Sequence, residues 1–176
     1  VTQPLAPVII DTLHKAVEEM GHAETFRGYA PDLGYEFLRK AIAENDYRSR
    51  GCEITADEIF VSDGAKCDIG RIQTLFGRKA RVAVQNPAYP VYVDGSVISG
   101  AAKRRGDDGY NDITYLPCTA ENDFFPDLTA IKKNSIIYFC SPNNPTGKAS
   151  TREQLQSLVN YAIEKECFII YDNAYF

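Results

Sequence analysis

The side chains best placed to do chemistry sit in two short phrases near the end of the sequence. Ser141-Pro142-Asn143-Asn144-Pro145-Thr146-Gly147 sets an amide between prolines, and Asp172-Asn173-Ala174-Tyr175 sets a carboxylate three residues before a phenol. Each phrase follows a continuous apolar run, residues 136–140 and 168–171, too short for a typical helix and rich in strand formers. Singly, Asn144 or Asp172 would do no more than end a strand and make a turn. Together they predict a buried amide and a buried carboxylate at the carboxyl edges of neighbouring strands, where ligands of open α/β sheets bind. A carboxylate at the bottom of such a cleft can hold a proton on a heteroaromatic nitrogen. An amide and a phenol beside it can donate to a ring oxygen.

The elements that must position these groups are legible in the spacing. Between the two runs, Ser150-Thr151-Arg152-Glu153 has the form of a capping box. Leu155, Leu158, Val159, Ala162 and Ile163 then share one helical face. The result is a strand–helix–strand unit whose parallel crossover should be right-handed. Earlier, residues 59–62 are predicted as a short strand, followed by Asp63-Gly64-Ala65-Lys66 and a helical pattern through Ile69, Ile72, Leu75 and Phe76 that Gly77 stops. A strand, a glycine turn and a helix start offer free backbone N–H groups to an anion. The phrase is not a full P-loop, and G-x-G-x-x-G is absent, so a single phosphate monoester suits it better than a dinucleotide. Residues 81–85 make a further strand, followed by Asn86-Pro87-Ala88-Tyr89-Pro90, a loop stiffened by its prolines. Helices are predicted over 7–20, from Tyr35 to near Gly51, and over 90–98, with an edge strand at 113–116. Pyridoxal phosphate meets the whole set of demands: a pyridine nitrogen, a ring oxygen and one phosphate. It needs that nitrogen protonated to act as an electron sink.

On these residues the chain resembles the class I branch of the fold-type-I pyridoxal-phosphate aminotransferases. Longer phrases resemble its diaminopimelate-using members: Val61-Ser62-Asp63-Gly64-Ala65-Lys66-Cys67-Asp68-Ile69-Gly70-Arg71, Tyr89-Pro90-Val91-Tyr92-Val93-Asp94, and Phe124-Phe125-Pro126. The resemblance implies an incomplete three-layer α/β/α sandwich around a mostly parallel sheet. Residues 1–50 would be a helical segment joining the large domain, and 51–176 the first part of the cofactor-binding large domain. It implies pyridoxal 5'-phosphate held by Tyr29, Ala65, Lys66, Tyr89, Asn144, Asp172 and Tyr175, with Lys66, Tyr89 and Asn144 also touching substrate. Asp172 would sit on the pyridine nitrogen, Asn144 and Tyr175 on the ring oxygen, and Tyr89 on the ring face. Tyr29 would reach the site of the other subunit of a homodimer, and cis bonds are expected at Asn86-Pro87 or Asn144-Pro145. The family's Schiff-base lysine and its carboxylate-gripping arginine match no position here and are expected beyond Phe176. The chain therefore reads as a segment that should not transaminate alone. For the intact protein the resemblance implies exchange of an amino group between LL-diaminopimelate and 2-oxoglutarate, giving tetrahydrodipicolinate and glutamate in lysine biosynthesis. An aspartate, aromatic or alanine donor, or a non-catalytic module on the same fold, are the alternatives.

Bulk properties narrow the field. With 176 residues and 44% hydrophobic content the chain can bury a domain-sized core. Its net charge of −5 gives no reason to expect nucleic acid or an anionic membrane as a partner. The five cysteines are scattered without a C-x-x-C pair, which suggests reduced thiols in the cytoplasm, or in a plastid stroma, and neither a disulfide framework nor a zinc site. The two histidines are too few and too badly spaced for a metal centre.

Overall fold

The computed structural model describes residues 3–175, which form two compact units divided between Ser62 and Asp63. The first unit holds helices α1 (Pro7–Glu19) and α2 (Glu36–Ile42), the latter continuing through a π-helical turn (Ala43–Tyr47) and a 3-10 turn (Arg48–Arg50) to Gly51 in the left-handed region. Its organising polar residue is the buried Arg39, which donates to the carbonyls of Gly34 (3.1 Å) and Ala56 (2.6 Å). The strand expected at 59–62 does not form. The segment is extended, but Val61 N–H bonds to Leu33 O in place of a ladder, and a strand exists only by pairing.

The second unit contains α3 (Ala65–Ile72), β1 (Arg81–Asn86), α4 (Val91–Ile98), the hairpin strands β2 (Arg105–Gly106) and β3 (Gly109–Tyr110), β4 (Ile113–Pro117), β5 (Ser135–Cys140), α5 (Arg152–Glu164) and β6 (Phe168–Asp172). Its main sheet has the order β4-β1-β5-β6 and is parallel throughout. Alternation along each strand fills two cores. Val82, Val84, Ile136, Tyr138 and Cys140 point to one face with Ile69 of α3 and Val91 and Tyr92 of α4. Ala83, Ile137 and Phe139 point to the other, with Leu158 and Ala162 of α5. Both faces are therefore covered, which explains why β5 reads as an unbroken apolar run. This is the three-layer α/β/α arrangement that the sequence predicts.

Two local expectations shift. The capping box of α5 is Thr151 with Gln154, one residue later than expected: Thr151 Oγ1 accepts Gln154 N–H (3.2 Å) and Gln154 Oε1 accepts Thr151 N–H (2.8 Å). Ser150 instead uses its backbone N–H, which donates to Ser141 Oγ (2.8 Å). Of the apolar stripe on α5, Leu158 and Ala162 are buried, whereas Val159 is 42% and Ile163 73% exposed.

Candidate active site

The topology decides where a crevice opens. β1 leads through α4 to β4 on one side of the sheet, and β5 leads through α5 to β6 on the other. The two helices pack on opposite faces, so the connections diverge between the carboxyl ends of β1 and β5, the position at which open α/β sheets bind ligands. The β1–β5 ladder runs to Val84↔Tyr138. Beyond it the buried Gln85 side chain accepts Cys140 N–H (2.7 Å), holding the strand ends while the loops part.

A cavity of about 250 Å³ sits at that edge, lined by Ala65, Lys66, Ile69, Tyr89, Cys140, Asn144, Asp172, Ala174 and Tyr175. Six of the seven residues expected to bind cofactor are thus brought together from four separate segments. The seventh, Tyr29, lies in the first unit with its ring fully exposed, and is not among the lining residues. A neighbouring cavity of about 340 Å³ shares Asn144 and Tyr175 with the first. A further cavity, about 450 Å³, lies at the amino ends of β1 and β4 and is lined by Arg78, Arg81, Lys103, Arg104 and Lys132 among others. Its one carboxylate, Asp112, is already paired with Arg104 (2.6 Å) and with the N–H groups of Lys103 and Arg104, so the cavity offers no uncommitted carboxylate for a ring nitrogen.

Each lining group has a structural reason for its place. Asp172 is the last residue of β6 and stands level with Cys140 of β5. Its Oδ2 accepts the Tyr92 hydroxyl (2.7 Å) and its Oδ1 accepts Ala174 N–H (3.2 Å). Asn144 is not itself a strand end: it sits four residues beyond β5, in a loop whose shape is fixed by Asn143. Asn143 N–H donates to Lys148 O (2.8 Å), and Asn143 Nδ2 donates to Pro87 O (3.1 Å) and to Thr146 Oγ1 (3.2 Å). Gly147 completes the turn at φ 71°. The peptide bonds at Asn86-Pro87 and Asn144-Pro145 are cis as expected, and Ser141-Pro142 is a third. The Asn144 side-chain amide has no hydrogen-bond partner among the described residues, which leaves it available to a ligand. Both Asn144 and Asp172 are half-buried, less enclosed than the sequence suggested.

At the opposite wall, α3 begins after Gly64, whose φ of 133° and ψ of 150° suit only glycine. The first intrahelical bonds come from Cys67 and Asp68 to Gly64 O, so the N–H groups of Ala65 and Lys66 have no partner within the helix. Sequence reasoning missed Tyr92. It belongs to a quoted phrase but reads as an ordinary core residue of α4, and only its three-residue offset from Tyr89 hints that it follows the loop into the site. Sequence reasoning also missed Asn143, since two adjacent asparagines do not show which one shapes the loop and which one faces the cavity.

A sequence model of the aminotransferase class I and II family matches residues 3–176. The chain belongs to that family. It is 56% identical over 180 residues to an LL-diaminopimelate aminotransferase of Lachnospira eligens, covering 99% of this chain and 44% of that protein. An LL-diaminopimelate aminotransferase of the archaeon Methanosphaera stadtmanae is 50% identical over 176 residues, with 43% of its length covered. Among solved structures, L,L-diaminopimelate aminotransferase from Chlamydomonas reinhardtii superposes with a TM-score of 0.88 at 48% identity, covering 97% of this chain and 42% of that one. Alanine aminotransferase from Pyrococcus furiosus superposes at 0.82 and 26% identity, over 99% and 42%. The aminotransferase chain thus spans less than half the length of the relatives it matches. Pyridoxal phosphate is the cofactor of the family, and the cavity suits it on its own terms. It offers an acid already oriented by two donors, an unpartnered amide, a helix start with free N–H groups and an aromatic ring. Among the described residues there is no cluster that could hold a metal ion, and no helix long and apolar enough to cross a membrane.

Proposed function

We propose that the protein containing this chain transfers the amino group of LL-diaminopimelate to 2-oxoglutarate, giving tetrahydrodipicolinate and glutamate as a step of lysine biosynthesis. The observation that carries the class of reaction is the meeting of Asp172, Asn144 and the start of α3 in one cavity. The identity to diaminopimelate-using relatives supports the substrate. Bound there, pyridoxal phosphate supplies a carbonyl that captures amines and a protonated ring that accepts the electron pair released at the substrate α-carbon.

The chain's own residues divide the remaining work. The Asp172 carboxylate stabilises a proton on the ring nitrogen, because a nearby anion favours the protonated base. Asn144 and Tyr175 would donate to the ring oxygen, and Tyr89 would supply an aromatic face for the ring. Ala65 and Lys66 offer N–H groups to the phosphate at the positive end of a helix, and the Lys66 ammonium adds charge for the phosphate or for a substrate carboxylate. Tyr29, exposed and without a role in its own unit, is assigned to the site of a second copy in a homodimer. The scattered free thiols are consistent with a reducing compartment, and we assign the reaction to the cytoplasm on that reading.

The test is Asp172→Ala in the full-length protein. We expect turnover to fall by about a hundredfold or more, the cofactor to bind weakly and its visible spectrum to change. Near-normal turnover with an unchanged spectrum would overturn the assignment. The wild-type protein offered LL-diaminopimelate, aspartate, alanine and tyrosine should prefer the first. Preference for another donor would overturn the substrate but not the class, and a monomer in sedimentation equilibrium would overturn the role of Tyr29.

A further inference from the structure

The Asp172 carboxylate depends on a residue that none of the binding roles above includes. A carboxylate rotates about a broad, roughly two-fold torsion, and Asp172 stands at the open end of β6, where the strand gives no further restraint. One hydrogen bond on it is short and charge-assisted: the Tyr92 hydroxyl at 2.7 Å from Oδ2. The donor itself cannot swing. Tyr92 is 1% exposed, its ring stacks on Tyr138 with centroids 5.1 Å apart and planes 12° apart, and Tyr138 donates its own hydroxyl to buried Gln73 (3.1 Å). Ser96, one turn along α4, bonds to Gln73 Oε1 (3.1 Å) and to the Tyr92 carbonyl (2.7 Å).

We propose that Tyr92 is a positioning residue that fixes the orientation of the Asp172 carboxylate toward the cofactor ring. The inference rests on the functional reading above. The geometry also links two contacts that would otherwise vary independently. Tyr92 sits in the first turn of α4, three residues after Tyr89, and the two rings meet edge to face with centroids 6.1 Å apart. One rigid segment therefore presents the aromatic for the ring face and the anchor for the ring-nitrogen acid. Burial and the neighbouring Asp172 anion push the Tyr92 phenol well above its ordinary range, so it stays a donor at every pH the enzyme meets.

The experiment compares Tyr92→Phe, Asp172→Ala and the double variant in the full-length protein, with Tyr138→Phe as a control for packing. Tyr92→Phe keeps the stacked ring and removes only the donor. We expect cofactor affinity, measured by titrating the apoprotein, to weaken about tenfold. Substrate KM should change little while kcat falls. A loosened carboxylate holds the ring proton less firmly, and a less electron-poor ring moves the cofactor's pH-dependent colour change upward by about half a pH unit or more. In the Asp172→Ala background Tyr92→Phe should have no further effect on cofactor affinity, since the group it acts through is gone. Tyr138→Phe should lower thermal stability and leave the colour change in place. A folded Tyr92→Phe protein with wild-type affinity and an unmoved colour change, or full additivity with Asp172→Ala, overturns the proposal. Should Tyr92→Phe fail to fold, fluorotyrosine at position 92 keeps the ring and alters only the strength of the bond. A shift of the colour change then supports the contact, and no shift overturns it. If Asp172→Ala itself leaves affinity and spectrum unchanged, the functional reading fails; if only Tyr92→Phe is silent, this inference fails alone.

Discussion

At the scale of single residues, Gly64 shows how a conformational requirement can be separated from a steric one. A Cβ built there would meet nothing within 4 Å, so there is room for a side chain. The φ of 133° nevertheless belongs to a region that residues with a Cβ avoid. We therefore expect Gly64→Ala to cost about 1–3 kcal/mol of stability, or to relieve the strain by turning the peptide that leads into α3. In the second case the N–H groups of Ala65 and Lys66 would be re-aimed, and cofactor affinity would fall more than stability. Chemical denaturation and cofactor titration on the same variant distinguish the two, and a variant unchanged in both would remove the reason for glycine here. Most of the candidate site was legible at this scale, because Asn144, Asp172, Tyr175 and Ala65-Lys66, which line one cavity, stand beside strand or helix signals that indicate where they lie. Tyr92 was not. A tyrosine on an apolar helix gives no sign of whether its hydroxyl ends on solvent, a backbone carbonyl or, as here, the Asp172 carboxylate.

At the scale of elements, the β5–α5–β6 unit was readable almost entirely, and its misplaced cap is instructive. Residues 150–154 read Ser-Thr-Arg-Glu-Gln, so a hydroxyl precedes an acid or amide by three residues twice over: Ser150 with Glu153, and Thr151 with Gln154. Local pattern cannot choose between two equivalent registers. The fold chooses, because Ser150 N–H is needed by Ser141 Oγ to close the loop that carries Asn144. Thr151→Ala should accordingly cost about 1 kcal/mol through loss of the cap. Ser150→Ala, whose contribution to the loop is a backbone N–H, should cost only a few tenths by comparison. Equal losses in urea midpoint for the two variants would contradict the observed register. The segment 59–62 failed for a different reason. Its β-branched and aromatic residues favour extension, and extension is what it has. A ladder also needs a neighbouring strand, and that is a property of the whole sheet which no local window contains.

At the scale of the whole molecule, the pH range of stability follows from groups spread over both units. Several carboxylates are held below their ordinary range in the folded state. Arg104 and the N–H groups of Arg104 and Lys103 hold Asp112 far below it. Arg71 does the same for Asp63, Lys40 for Glu36, and the Thr55 N–H for Glu58. A depressed carboxylate contributes stability above its unfolded value, about 4, and that contribution is lost as pH falls through the folded value. The opposite limb comes from buried acids held above their range: Tyr138, pushed up to about 12 by burial, and Tyr92, Cys118 and Cys140. Their protons leave the unfolded chain first, near about 8.5 for thiols and about 10 for phenols, so stability declines as pH rises through those values. The urea midpoint of the full-length apoprotein should therefore be flat between about pH 5 and 8 and fall on both sides. The two limbs have separate origins and should respond separately. Asp112→Asn keeps an acceptor for the backbone N–H groups but cannot titrate, so it should flatten the acid limb and leave the alkaline one unchanged. Tyr138→Phe should flatten the alkaline limb alone. Asp112→Asn with an acid limb as steep as the wild type's would show that the Arg104–Asp112 pair does not couple to global unfolding, and that the β2–β3 region it anchors opens on its own before the sheet does.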